Sequence, residues 1–157
     1  PFLSFTAEEA WAVFAPGASA SIFTETYWKF APPDETLLAR WARIREIRDQ
    51  ANKEIESLRA TGRVGSSLQA SLRIGADAAD HALLASLGAD LRFVTITSQA
   101  ALARADALAI EVAAMEAPKC ARCWHYRDDV GHDAAHPALC GRCTSNLFGA
   151  GEAREFA

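Results

Sequence analysis

Between Glu35 and Thr61 apolar residues recur at intervals of three and four: Leu37, Leu38, Trp41, Ile44, Ile47, Ala51, Ile55 and Leu58. Arginines and acids fill the remaining positions, so the segment predicts a long amphipathic helix. Asp34 precedes it as a natural N-cap, Gly62 is placed for a C-terminal cap, and Gly65 turns the chain. An earlier helix is expected from Pro1 to about Ala15, with Phe2, Leu3, Phe5, Ala10, Trp11 and Phe14 on one face. Ser4 or Thr6 would cap it, Glu9 stands in capping-box spacing to Thr6, and Pro16-Gly17 ends it. Residues 18–34 carry Phe23, Tyr27, Trp28 and Phe30 without a period and close on Pro32-Pro33, which reads as a linker packed against something.

After Ser66-Ser67 the period changes to two. Leu68, Ala70, Leu72 and Ile74 alternate with Gln69, Ser71 and Arg73, predicting a half-buried strand. A short helix is expected over 77–87 with Ala79, Leu83, Leu84 and Leu87 inward and Gly88 as its stop. The β-branched and aromatic content of Leu91 to Thr97 predicts a second strand, Ala100 to Ala107 a connection, and Leu108 to Met115 a third strand. One helix over a three-stranded sheet would result. The fold class is therefore α+β: a helical part over 1–64, a small α/β module over 65–117 and a cysteine-rich module over 118–157.

Composition narrows the function. Of 157 residues half are apolar and 23% charged, which suits a globular chain and argues against disorder. No apolar run reaches the roughly 18 residues that cross a bilayer, and the start at Pro1 shows neither a basic flank nor a signal-peptide core. The missing Met points to an excised or processed chain. A net charge of −4 gives no global footprint for nucleic acid. A local basic stripe would suffice, however, because only the cations that reach phosphates release counterions. The arginines of the long helix, among them Arg40, Arg43, Arg45, Arg48 and Arg59, alternate with acids and read as a solvated, salt-bridged face.

The chemistry is concentrated in four cysteines within 24 residues. Cys120-Ala121-Arg122-Cys123 and Cys140-Gly141-Arg142-Cys143 are two C-x₂-C pairs sixteen residues apart, the spacing of a zinc-knuckle pair. Such turns aim backbone amides at the thiolates, and Gly141 would tolerate the positive φ a knuckle often needs. Arg122 and Arg142 hold matching positions, where a cation offsets part of the roughly −2 charge of zinc with four thiolates. Two disulfides, free thiols, or a Cys₃His set drawing on His125, His132 or His136 are the alternatives. Four protein ligands leave no open position for water, so a structural metal is expected and catalysis is not. Asp128-Asp129 reads as a solvated turn, and no nucleophile triad, phosphate loop or H-E-x-x-H occurs.

The run from Lys119, with KCARCWHY, HPALCGRC and SNLFGAGE in order, resembles the C-terminal zinc finger of bacterial isoleucyl-tRNA synthetases. LRFVTITSQA and PFLSFTAEEAW resemble, in the same enzymes, the module before the finger and the end of the helical anticodon-binding domain, so the likeness covers essentially the whole chain and is weakest from Ala100 to Pro118. The resemblance implies part of a cytoplasmic, monomeric, ATP-dependent ligase with one structural zinc on Cys120, Cys123, Cys140 and Cys143. It implies tRNA as partner. The catalytic signatures of the family have no counterpart here. Arg122, Arg127 and Arg142 are expected to face phosphates and Trp124 or Tyr126 to stack on bases; alternatively the two aromatics form the finger's small core and seat it on the sheet.

Overall fold

The computed structural model describes residues 3–17 and 21–152. The expected places of Pro1 and Phe2 in the first helix, and of 18–20 in the linker, lie outside them. The chain divides into two compact units, Pro1–Asp34 and Glu35–Ala157.

In the first unit, α1 spans Ser4–Phe14. The helix begins upstream of the expected capping box: Leu3 occupies the N-cap position with φ 57° and no side chain caps the amides. Thr6 is therefore already inside the first turn, where its hydroxyl cannot serve the amides ahead of it. Gly17 at φ 87° follows Pro16 and ends the segment. Glu8 ties the helix to a 3₁₀ turn, Ile22–Thr24, by accepting hydrogen bonds from the Ser21 hydroxyl at 3.0 Å and the Ile22 amide at 3.2 Å.

The second unit begins with α2, Glu35–Ala60, which at about 1.5 Å per residue is close to 40 Å long. Its buried residues are Ile44, Ile47, Ala51 and Ile55, spaced three and four, with Trp41 packed beside them. Leu37 and Leu38, on the expected stripe, are about half exposed at the start of the helix. The C-terminus is a Schellman motif: Gly62 has φ 72° and donates to Arg59 O at 3.0 Å, while Arg63 donates to Leu58 O at 3.0 Å. On the polar face Arg43 pairs with Glu46 and Arg59 with Glu56, each three residues apart, as the charge pattern required.

Three strands form one mixed sheet in the order β2-β1-β3: β1 Ala70–Ala76, β2 Gln99–Arg104 and β3 Ala109–Ala114. β1 pairs parallel with β2 (Leu72 with Ala100) and antiparallel with β3 (Leu72 with Val112). Ala70, Leu72, Ile74 and Ala76 are buried while Arg73 is exposed, so from Ala70 onward the strand alternates as expected, whereas Leu68 and Gln69 lie in a 3₁₀ turn, Ser67–Gln69. Both α2 and α3 (Ala78–Ala85) pack on the sheet, and their apolar residues share one core with β1, so two helices cover it where one was expected. Leu84 and Leu87 are buried as anticipated, whereas Ala79 is exposed and Asp80 takes the inward place.

The expected second strand is the clearest departure. Leu91–Val94 is a helical turn, α4, and the segment expected to be a connection carries β2. The cause is topological. Parallel neighbours need a crossover that carries the chain back along a strand about 20 Å long. α3 returns only about 12 Å, and the 3₁₀ turn Gly88–Asp90 with α4 supplies the rest. The threonines then serve the turn: Thr95 Oγ1 donates to Leu91 O at 3.0 Å and Thr97 Oγ1 to Gln99 O at 3.2 Å. Ile96, β-branched, is held at φ 55° between them.

Asp80 on α3 receives two hydrogen bonds from Arg43 on α2, at 2.9 and 2.6 Å. Hydrogen bonding by Arg43 outweighs burial and holds the carboxyl below its ordinary value. A depressed carboxylate stabilises the fold above about pH 4 and loses that contribution as pH falls through the folded value. Asp80→Asn is therefore expected to cost about 1 kcal/mol at pH 7, since Arg43 remains well hydrated. In urea unfolding the gap between variant and parent should shrink below pH 4.

Candidate metal centre

The cysteine module grows out of two short pieces of regular structure. Lys119 and Tyr126 form an isolated antiparallel bridge around the first pair, with Cys120 N donating to His125 O and Arg127 N to Pro118 O, both at 2.9 Å. The chain turns between them at Trp124, whose φ is 64° and whose amide donates to Cys120 O at 3.0 Å. The second pair opens α5, Gly141–Phe148, with Cys140 at the N-cap position and Cys143 in the first turn. Ala121 N donates to Ala138 O at 2.9 Å and joins the two loops.

The positive φ expected at Gly141 is found instead at Trp124, because Gly141 is the first residue of a right-handed helix. Space is tight at 141: a Cβ there would stand 3.0 Å from Asp129 Oδ2, which accepts the Gly141 amide at 3.2 Å, so a larger residue would push the Asp129 carboxylate aside. Asp129 also receives Arg127 Nε and Nη2 at 2.8 and 2.9 Å. The Arg127 hydrogen bond keeps the Asp129 carboxyl below its ordinary range despite burial. Asp129 thus clamps the first knuckle to the second, where a solvated turn was expected; Asp128 alone is exposed.

All four sulfurs lie within 4.8 Å of one another, three of the cysteines being fully buried. A tetrahedral zinc with bonds of about 2.3 Å requires sulfurs about 3.8 Å apart. Cys123 Sγ and Cys140 Sγ are 3.7 Å apart. The donor set fits one structural zinc. Burial raises the Cys120 thiol, but the amides of Cys123, Cys140 and Arg122 bring it down to about 6, whereas burial pushes Cys140 up to about 12. Cys140 is therefore protonated at neutral pH without a metal, so metal binding must release its proton.

Positive charge reaches the thiolates crosswise. Arg122 in the first knuckle donates to Cys143 Sγ at 3.7 Å, and the Cys123 and Cys143 sulfurs act electrostatically on Arg142 in the second. Burial pulls the Arg142 guanidinium down, yet Cys123 and Glu152 together raise it. Arg142 Nη1 is 3.3 Å from Glu152 Oε1, and Glu152 is fixed by Asn146 through bonds of 2.9 and 2.8 Å across Gly151. The S-N-L-x-G-x-G-E run is thus a closure that orients Arg142.

His125 Nδ1 faces Cys123 O at 3.1 Å and therefore donates to it, leaving Nε2 buried without a protein partner. Burial lowers its pKa, with Arg142, Arg92 and Arg127 acting the same way. His136 stacks on Phe148 at 3.9 Å. Neither joins the cluster, nor does His132, among the described residues. Trp124 is 58% exposed with Lys119 Nζ 5.3 Å from its ring, while Tyr126 is half-buried with its amide bonded to Ser98 Oγ at 2.7 Å. The two positions have divided: the Tyr126 amide ties the finger to Ser98, the residue before β2, and Trp124 is exposed. The partners of Ser98 and Glu152, namely Leu68, Tyr126, Asn146 and Arg142, lie more than five residues away, so no local period announces their roles.

Residues 118–146 match the family described as a zinc finger found in FPG and IleRS, and residues 1–74 match the anticodon-binding domain of tRNA ligase. The chain is 54% identical over 98% of its length to an isoleucine-tRNA ligase of Bordetella parapertussis, and 55% identical over its whole length to one of Ralstonia pickettii. It belongs to the C-terminal region of the isoleucine-tRNA ligase family. Isoleucine-tRNA ligase 1 of Burkholderia mallei is similar at 52% over the whole chain. The chain spans 17% of the length of each of these ligases. No helix among the described residues is long and apolar enough to cross a membrane.

Proposed function

We propose that this chain is the zinc-stabilised, tRNA-binding end of a cytoplasmic enzyme that attaches isoleucine to its tRNA with ATP, the chemistry being performed outside these residues. Cys120, Cys123, Cys140 and Cys143 hold the zinc, and residues 1–64 form the end of the anticodon-binding helices. The role of the metal is to build a small rigid surface, of which Trp124 is the working face. The exposed Trp124 ring beside Lys119 is the observation that carries this reading. A tryptophan fixed by a left-handed turn over a metal knuckle loses little entropy when a base stacks on it. Arg122 is exposed and, with one N–H directed at Cys143 Sγ, has its other N–H groups for a phosphate. Arg127 and Arg142, held by Asp129 and Glu152, offer only their remaining N–H groups.

Trp124→Ala is expected to weaken tRNA binding by about tenfold or more, stacking being worth roughly 1–3 kcal/mol per base. Zinc content should stay the same, because the ring lies outside the buried cluster. Filter binding of tRNA measures this. Unchanged affinity in Trp124→Ala and Arg122→Ala together would favour a module that docks on protein.

A further inference from the structure

Where the finger meets the sheet lies a cleft of about 300 Å³, bounded by Arg92, Ser98, Gln99, Tyr126 and Arg127. Arg92 is half-buried on α4, with its guanidinium 4.7 Å from the Phe93 ring. Arg142 approaches the same ring at 4.9 Å. Unlike Arg127 and Arg142, Arg92 forms no ion pair among the described residues; Asp90 and Glu152 act on it only at longer range. A guanidinium withdrawn from water beside two others, without a carboxylate of its own, is costly unless an anion completes the site.

We propose that this cleft binds a backbone phosphate of RNA, with Arg92 as its principal cation. The inference rests on the reading that this region meets tRNA. Cation–π contact with Phe93 holds the guanidinium plane still while leaving its N–H edge to donate. Arg127 spends Nε and Nη2 on Asp129 and keeps Nη1. The Gln99 carbonyl oxygen accepts from Ser71 at 3.3 Å, so its amide nitrogen is the group left to donate. Asp129 also lines the cleft, but Arg127 and the Gly141 amide take up its charge, and Asp128 stands at the exposed rim. Burial, then the charges of Arg127 and Arg142, lower the pKa of Arg92, as expected of a cation short of a counterion. The phosphate would lie beside the first knuckle, so one strand could place a base on Trp124 and its backbone in the cleft.

The test is tRNA affinity over a range of salt for the full chain and for Arg92→Ala, Arg92→Lys and, on the uncovered sheet face, Arg73→Ala. Loss of one phosphate contact should weaken binding about tenfold and make the slope of log affinity against log salt shallower by about 0.7 to 0.9. Arg92→Lys should retain the slope and recover part of the affinity, and Arg73→Ala should match the parent. Equal affinity and slope in parent and Arg92→Ala would overturn the proposal while leaving the tRNA reading intact; a parent that does not bind tRNA would overturn both. Protection of the Gln99 amide by inorganic phosphate, with tRNA affinity insensitive to Arg92, would assign the cleft to free phosphate and reject RNA.

Discussion

Chelating the zinc, or replacing Cys140 with Ser, is expected to unfold residues 118–152 while the sheet and its two helices persist. In the finger the buried apolar cluster consists of Cys120, Cys140 and Cys143, supported only by Cys123, Val130 and Leu139. So few side chains bury too little apolar surface to hold the finger folded on their own. Metal binding, of the order of 10 kcal/mol, supplies the difference. Without it Cys140 Sγ no longer has a reason to stand beside Cys123, and α5 loses the turn that starts it. The other core rests on Ile47, Leu72, Ile74 and Leu84, none of which touches a cysteine cluster member in this arrangement of two separate cores. Amide exchange followed by NMR would show α5 and the Lys119–Tyr126 bridge becoming unprotected and β1 staying protected. Protection of both after chelation would show that the finger folds without metal.

The second large effect lies in the sheet. Leu72→Ala should destabilise the α/β module by about 3 kcal/mol, because the side chain is fully buried and its neighbours can close the gap only in part. Leu72 sits at the middle of the central strand, opposite Ala100 on one side and Val112 on the other, with both helices above it. Arg73→Ala, one residue along and on the open face, should cost under about 0.5 kcal/mol. Denaturant unfolding of the two variants compares them directly. Equal losses would mean that the strand does not bury the face assigned to it.

How much of the molecule is readable in the sequence depends on whether the signal is local. The α2 stripe, its Gly62 cap and the alternation of β1 are periodic, so spacing alone places Ile44, Ile47, Leu72 and Ile74. The cysteine pairs are equally legible, since two identical turns imply a shared ligand. β2 is not. Its alanines carry little strand preference, and Gln99–Arg104 is a strand because β1 offers it a partner, whereas the β-branched run before it is consumed by the return crossover. Asp80 replaces Ala79 inside because a partner 37 residues away, Arg43, neutralises it. The same holds at the finger: Asp129 is drawn in by the Gly141 amide twelve residues on as well as by Arg127, and Phe93 meets Arg142 from the second knuckle.

Four sulfurs and nothing else are expected to hold one zinc. X-ray absorption at the zinc edge, together with elemental analysis of the purified chain, tests it most directly. The expected result is about one zinc per chain and a first shell of four sulfurs at about 2.3 Å. A shell of three sulfurs and one nitrogen, or a chain without zinc whose four thiols titrate freely in an unchanged fold, would contradict it.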